Sequence, residues 1–216
     1  TWSVRSMPYV LGQGYQVSIN NGGHLTLMPG VVVKMENASS FSLRTAQTTG
    51  RVTWAGTESE PIVFTSLKDD SVGGDTRPGD GSPARGDWVY VEIAGTSANR
   101  IEHVTFKYGG RNGSANFYAG GDQTVVTNSV FEQSAGPGLW LQGGAVSVTS
   151  STIRNHAQAG MRLTGSGAPG VEGNVLEGNG AEGMRGDDGS MLPTVRGNTF
   201  LANASYGAFL RGDIPE

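Results

Sequence analysis

The sequence predicts an all-β protein, a single-domain right-handed parallel β-helix in which coils of about 22 to 25 residues stack into a solenoid. Two observations predict this fold. Apolar residues recur at a nearly constant spacing in the second half of the chain, and the short stretches around them alternate between apolar and polar residues, as strands do. No window carries the apolar stripe of an amphipathic helix.

Three columns of residues define the repeat. The anchors, each an apolar residue before a polar turn, are Phe106, Phe131, Ile153, Leu176 and Phe200, spaced 25, 22, 23 and 24 residues apart. Five residues before the anchors stand Ile101, Val126, Val148, Val171 and Val195. Seven residues after them stand Gly113, Gly138, Gly160, Gly183 and Gly207. A unit of this length cannot form a hydrophobic core by itself, so successive coils must stack. Equivalent residues of neighbouring coils then lie on top of one another.

The same architecture is predicted for the whole chain, 1–216, as one domain. Residues 99–216 form the regular coils, and residues 1–98 form less regular coils with strand patterns at 25–33, 51–54 and 61–66. An acidic loop at 67–87 interrupts them, because its glycines, prolines and aspartates cannot form a coil strand.

A resemblance to a known family supports this prediction. The pattern Asn-x-Phe/Leu, a turn Asn and then Gly-x-x-Leu resembles the repeat of pectate-lyase-like right-handed β-helix proteins over residues 99–216. The stretch 25–109 resembles an N-terminal module of large bacterial secreted β-helix proteins. The resemblance implies an extracellular or cell-surface bacterial protein, and it leaves the function open. One hypothesis is a non-catalytic structural module that binds carbohydrate or an adhesion partner, and the other is a polysaccharide lyase or glycoside hydrolase acting on acidic polysaccharide.

Composition narrows the classes of partner. A net charge of −4 offers no basic field for nucleic acid, and no apolar run is long enough to span a membrane. The 35 glycines show no Gly-X-Y period, which excludes collagen. The first residues, Thr1-Trp2-Ser3, carry neither an initiator methionine nor a signal peptide, so we expect further coils or domains in a larger parent chain.

One outward-facing column predicts a ligand-binding face. Two residues past the repeat glycine stand Ala115, Trp140, Arg162, Arg185 and Phe209. Guanidinium groups hold carboxylates and aromatic rings stack on sugar faces, so Trp140, Arg162, Arg185 and Phe209 are the predicted binding residues for a sugar or uronate chain. The alternative is ordinary strand surface, or burial of the rings under a neighbouring domain.

The enzymatic alternative depends on one pair of carboxylates. Asp187 and Asp188 are the only adjacent acids in the regular coils, and Arg162 or Arg185 would serve as the base of a lyase. No second or third acid stacks on this pair in the same column, whereas glycosidases of this type need converging carboxylates. The sequence therefore favours a non-catalytic protein.

The acidic loop suggests a structural Ca²⁺ site. Its candidate ligands are Asp69, Asp70, Asp75 and Asp80, since hard cations prefer carboxylate oxygens from a flexible loop. Arg77 stands where a calcium loop has an Asn ligand, so a solvated acidic loop is the alternative.

Two further columns predict stabilising contacts between coils. A salt-bridge ladder is predicted for Lys107, Glu132, Arg154 and Glu177, which alternate in sign. A polar corner, whose side chains bond the backbone of neighbouring coils, is predicted for Ser134, His156, Asn179 and Asn203. The three histidines, His24, His103 and His156, are expected at the surface or in turns.

Overall fold

The protein is a solenoid built from three parallel sheets. The structure is a computed structural model that describes residues 1–20, 22–36, 43–45, 49–187 and 193–211. Within these ranges it contains 23 strands and one 3₁₀-helix, Arg111–Gly113. Among the described residues, no helix has the length and hydropathy needed to cross a membrane.

Successive strands belong in turn to sheet A, sheet B and sheet C, and in the described residues sheet A has seven strands while the other two sheets have eight. Sheet A contains β3 (His24–Leu27), β6 (Arg51–Ala55), β9 (Asn99–Glu102), β12 (Thr124–Thr127), β15 (Ser147–Thr149), β18 (Gly170–Glu172) and β21 (Thr194–Arg196). Sheet B contains β1 (Tyr9–Leu11), β4 (Val32–Met35), β7 (Ile62–Ser66), β10 (Val104–Lys107), β13 (Val130–Glu132), β16 (Thr152–Arg154), β19 (Val175–Glu177) and β22 (Thr199–Leu201). Sheet C contains β2 (Val17–Ile19), β5 (Leu43–Thr45), β8 (Val91–Ile93), β11 (Phe117–Gly120), β14 (Leu139–Gln142), β17 (Met161–Thr164), β20 (Met184–Gly186) and β23 (Ala208–Leu210).

The strand register confirms the anchor column. Phe106 pairs with Phe131, and the pairing continues in sequence through the last anchor, Phe200. The first four anchors are fully buried, and Phe200 packs against the core from the last coil. The valine column of sheet A stacks in the same way. Both columns point inward because side chains alternate across a strand.

The coil that begins at Phe106 corrects two predicted positions. Its three extra residues relative to the next coil lie before sheet C, where the 3₁₀-helix forms, so counting from the anchor fails there. Tyr118, not Ala115, pairs with Trp140 and faces outward, and Ala115 is buried. Asn116, not Gly113, therefore occupies the glycine position in this coil.

The polar corner between sheets B and C forms the predicted ladder. The backbone N–H of Ser134 donates to Nδ1 of His156 at 3.0 Å, and that of His156 donates to Oδ1 of Asn179 at 3.2 Å. The N–H of Asn179 donates in turn to Oδ1 of Asn203 at 3.2 Å. His156 is 1% exposed, so of the two locations expected for it, surface or turn, it takes the turn between β16 and β17.

The glycine column makes room for this corner. A Cβ on Gly138 would lie 2.0 Å from Nε2 of His156, and one on Gly160 would lie 2.7 Å from Nδ2 of Asn179. These glycines therefore allow close approach of a side chain from the next coil, which is why the two columns recur together.

Candidate functional site

The candidate site lies on the outer face of sheet C, along one column that runs parallel to the solenoid axis. Register pairs the outward residues of successive strands, namely Arg44, Glu92, Tyr118, Trp140, Arg162, Arg185 and Phe209. The four predicted ligand-binding residues therefore occupy consecutive rungs. Strands of a sheet are spaced about 4.8 Å apart, so neighbouring side chains are in contact.

Both faces of the Trp140 ring are covered by its neighbours in this column. Tyr118 stacks on it with ring centroids 5.2 Å apart, and the guanidinium carbon of Arg162 lies 4.2 Å from the ring centroid. The indole Nε1 donates to Oγ1 of Thr164 at 2.7 Å. Neither face of the Trp140 ring is therefore open in this arrangement for the sugar that was expected to stack on it.

A carboxylate joins the two arginines. Oδ2 of Asp187 lies 3.3 Å from Nη2 of Arg162, and Oδ1 accepts a hydrogen bond from Nε of Arg185 at 2.7 Å. Arg185 also donates from Nη1 to Oε1 of Glu182 at 3.1 Å. The network is thus Arg162–Asp187–Arg185–Glu182, and Glu182 is a member that the sequence did not point to.

This network borders a groove with a volume of about 250 Å³, which we call the arginine groove. The groove is lined by Pro137, Gln158, Ala159, Arg162, Ala181, Glu182, Arg185 and Asp187. Gln158 is exposed at its edge, while Ala159 and Glu182 are buried in its floor. Its polar groups come from two successive coils, and Pro137 adds an apolar residue from the coil before them, so the stacking register holds the groups in place.

Aromatic surface remains open at the end of the column. Phe209 is 37% exposed and Tyr206 is 62% exposed, with ring centroids 6.0 Å apart. The Arg185 guanidinium carbon lies 5.6 Å from the Phe209 ring centroid. The accessible rings of the site are therefore at Phe209 and Tyr206, beside the groove.

The contacts of the candidate catalytic residues oppose acid–base chemistry. The hydrogen bond and charge of Asp187 raise the pKa of the Arg185 guanidinium, which makes Arg185 a poor proton acceptor. Asp187 is engaged by both arginines, and Asp188 lies outside the described residues. Burial raises the pKa of Glu92, but this carboxyl is four rungs from Arg185, too far to act with Asp187 as a glycosidase pair.

The acidic loop folds against the outer face of sheet B, where Lys107 pairs with Asp69 and Lys34 lies near Asp70. Nζ of Lys107 lies 2.7 Å from Oδ2 of Asp69, and the two side chains are 12% and 3% exposed. Burial raises the pKa of Asp69, but hydrogen bonds from Lys107, Ser71 and Thr65 outweigh burial and lower it. Lys107 therefore pairs with the loop and not with Glu132, which corrects the predicted ladder at its first member.

The four predicted calcium ligands lie in different surroundings. Asp70 is 3.9 Å from Nζ of the buried Lys34, and Asp75 is exposed. Asp80 lines a second cavity of about 190 Å³ together with Arg77 and Arg111. Among the described residues, no group of three or more acidic, histidine or cysteine side chains is arranged to hold a metal ion. The calcium hypothesis stays a prediction.

We predict that Lys107→Ala destabilises the protein by about 3 kcal/mol, because it leaves the Asp69 carboxylate buried without its counter-charge. Chemical denaturation checks this. Lys68→Ala is the control, since its partner Asp87 lies 3.5 Å away and Lys68 is 41% exposed, so a loss of at most about 1 kcal/mol is expected. Equal losses in the two variants would contradict the role given to Lys107.

The rest of the predicted salt-bridge ladder forms on sheet B. Nη2 of Arg154 lies 2.9 Å from Oε2 of Glu132, and Nη1 lies 4.0 Å from Oε1 of Glu177. These exposed pairs stabilise the fold only slightly. They provide a matched control for the sheet C arginines, since Arg154 is paired in a similar way on another face.

The stacked parallel coils, the inward apolar columns and the polar corner define the protein as a parallel β-helix. A family model described as the right-handed β-helix region matches residues 90–213, more than half of the chain. The chain therefore belongs to this family. Comparison with curated proteins and with solved structures gave no match.

Proposed function

We propose that this chain is a non-catalytic β-helix module of a secreted or cell-surface bacterial protein and that it binds carbohydrate in the arginine groove. The observation that supports this most directly is the network in the groove, where Arg162, Arg185, Glu182 and Asp187 present donors and acceptors side by side. Sugars are recognised by such arrays of planar polar groups, with an aromatic surface alongside.

The fold supports a structural role for the same module. The buried columns run through consecutive coils, so each coil is held by its two neighbours along the axis. Binding groups on such a scaffold keep a fixed spacing because the strands cannot move independently. The module then acts as a rigid element that presents one binding face.

The contacts of the groove favour binding over catalysis. A lyase needs a base that can lose its proton, and the raised pKa of Arg185 opposes this role. A hydrolase needs one carboxyl free to give up a proton and a second to activate water. Asp187 is instead held between two guanidinium groups.

A glycan array followed by calorimetry tests the proposal. We expect Arg162→Ala and Arg185→Ala each to weaken binding roughly 10- to 100-fold, since each removes hydrogen bonds from a charged donor. Arg154→Ala on sheet B is the matched control and should leave affinity unchanged. No binding to any glycan, or equal loss in all three variants, would contradict the proposed site. The release of new reducing ends or unsaturated uronates would establish the enzymatic alternative instead.

A further inference from the structure

The charges of the arginine groove cancel. Arg162 and Arg185 bring two positive charges to it, and Glu182 and Asp187 bring two negative charges. The two oxygens of Asp187 are divided between the guanidinium groups, at 3.3 Å and 2.7 Å. An anionic sugar would find these positive charges already neutralised and would also lie against two carboxylates. The groove therefore lacks the positive field that binds a polyanion.

Its hydrogen-bonding groups are nevertheless not saturated by the network. In the part of the chain that the structure describes, Nε of Arg162 is buried and has no hydrogen-bond partner, while the side chain as a whole is 34% exposed, so its other atoms face the groove. A guanidinium group has five N–H donors and a carboxylate has about four acceptor sites, more than the contacts between these four residues use. The groove thus offers donors and acceptors together.

A sugar hydroxyl matches such a mixed surface better than a carboxylate does. A hydroxyl donates one hydrogen bond and accepts two, so neighbouring hydroxyls can donate to Asp187 or Glu182 and accept from Arg162 or Arg185. An ionised carboxylate only accepts, and it would leave the acids of the groove facing another acid. The exposed rings of Tyr206 and Phe209 add an apolar surface on which the C–H face of a sugar ring packs.

We infer that the arginine groove selects neutral, hydroxyl-rich sugars over uronic acids, because Asp187 and Glu182 neutralise Arg162 and Arg185 while leaving donors and acceptors side by side. This inference rests on the proposed carbohydrate binding. The selected ligand would then differ from the acidic polysaccharide on which the alternative lyase or hydrolase would act.

Matched oligosaccharides test the selectivity. The probes are glucan with glucuronan and mannan with mannuronan, each pair taken with the same linkage, so that its members differ only in a hydroxymethyl group or a carboxylate at C6. Calorimetry at low and high salt should find a neutral member that binds at least about tenfold more tightly than its uronate counterpart, with a Kd that salt hardly changes. A uronate that binds more tightly, with a Kd that rises steeply with salt, would overturn the inference.

Two isosteric variants give a second readout. Asp187→Asn and Glu182→Gln remove negative charge, so each should weaken binding of the neutral sugar roughly tenfold by removing charged acceptors. Neutral-sugar binding that is unchanged or strengthened in both variants would overturn the inference. Glu177→Gln on sheet B is the control, expected to have no effect, and thermal melting verifies that each variant is folded. If Asp187→Asn fails to fold, Glu182→Gln and the salt dependence decide.

The failures of the two proposals are distinguishable. If a uronate binds more tightly than its neutral counterpart, and this binding is lost in Arg162→Ala and Arg185→Ala, the groove still binds carbohydrate. That result would overturn the selectivity for neutral sugars and leave the proposed function standing. If no probe binds, or if binding is unaffected by the groove variants, both are overturned.

Discussion

Lowering the pH from 7 to 4 is expected to remove about 3 kcal/mol from the free energy of unfolding through one side chain, His156. Burial lowers the pKa of this imidazole from 6.5 to about 3. The unfolded chain therefore takes up a proton below pH 6.5, while the folded protein stays unprotonated there. Stability from this group is complete above pH 6.5 and is lost progressively as the pH falls toward 3.

The hydrogen bond of His156 gives the structural reason for this. Its Nδ1 accepts the N–H of Ser134, so a proton on Nδ1 would replace this bond with a clash of two donors. His156→Asn is the diagnostic variant, because asparagine occupies the same corner at Asn179 and Asn203 and makes the equivalent bonds. Denaturation measured between pH 7 and 4 should show the acid loss in the native protein and lack this component in the variant. Parallel pH profiles would contradict the assignment.

Phe106→Ala is expected to destabilise the protein by about 3 to 5 kcal/mol, because it empties the centre of a stacked aromatic core. The ring of Phe106 lies 4.9 Å from that of Phe64 and 5.3 Å from that of Phe131, nearly parallel to both. Phe117 packs on it from sheet C at 4.8 Å. The variant therefore removes contacts within its own coil and with the coils before and after it.

Phe209→Ala deletes the same atoms at the surface and is the matched control. Phe209 is 37% exposed, so we expect a loss of about 1 kcal/mol or less. Chemical denaturation of both variants gives the comparison. Similar losses would mean that the aromatic column does not carry the stability of the solenoid.

Most of the fold could be predicted from the sequence because one register controls it. The anchors and the valine column recur at the coil period, and alternation along short strands assigned their side chains inward. The prediction was wrong where the period changes. Three extra residues lie before Phe117, so Asn116 occupies the position that glycine holds in the other coils, whereas counting from the anchor had assigned that position to Gly113. The sequence alone does not say on which side of a coil such extra residues lie.

The candidate site could be predicted only in part. The column placed Trp140, Arg162, Arg185 and Phe209 together, and the pairing confirms that placement. Two available signals were missed. Rungs about 4.8 Å apart must stack on each other, which covers the ring of Trp140. Asp187 lies two residues past Arg185, on the same side of the chain, which brings it to both arginines.

Another feature depended on long-range folding and had no local signal. The pairing of Lys107 with Asp69 requires the loop to turn back onto sheet B, and spacing within the coils does not show where a loop folds. Glu182 is a different case, because it lies only three residues before Arg185 and pairs with it within one coil. That local signal was available in the sequence and was missed.

A crystal structure of the protein with the neutral oligosaccharide that binds most tightly would show directly where the sugar lies. We predict that the sugar lies in the arginine groove, with its hydroxyls bonded to Asp187 or Glu182 and to Arg162 or Arg185. A sugar bound on sheet A or sheet B, with the groove unoccupied, would contradict carbohydrate binding in the arginine groove.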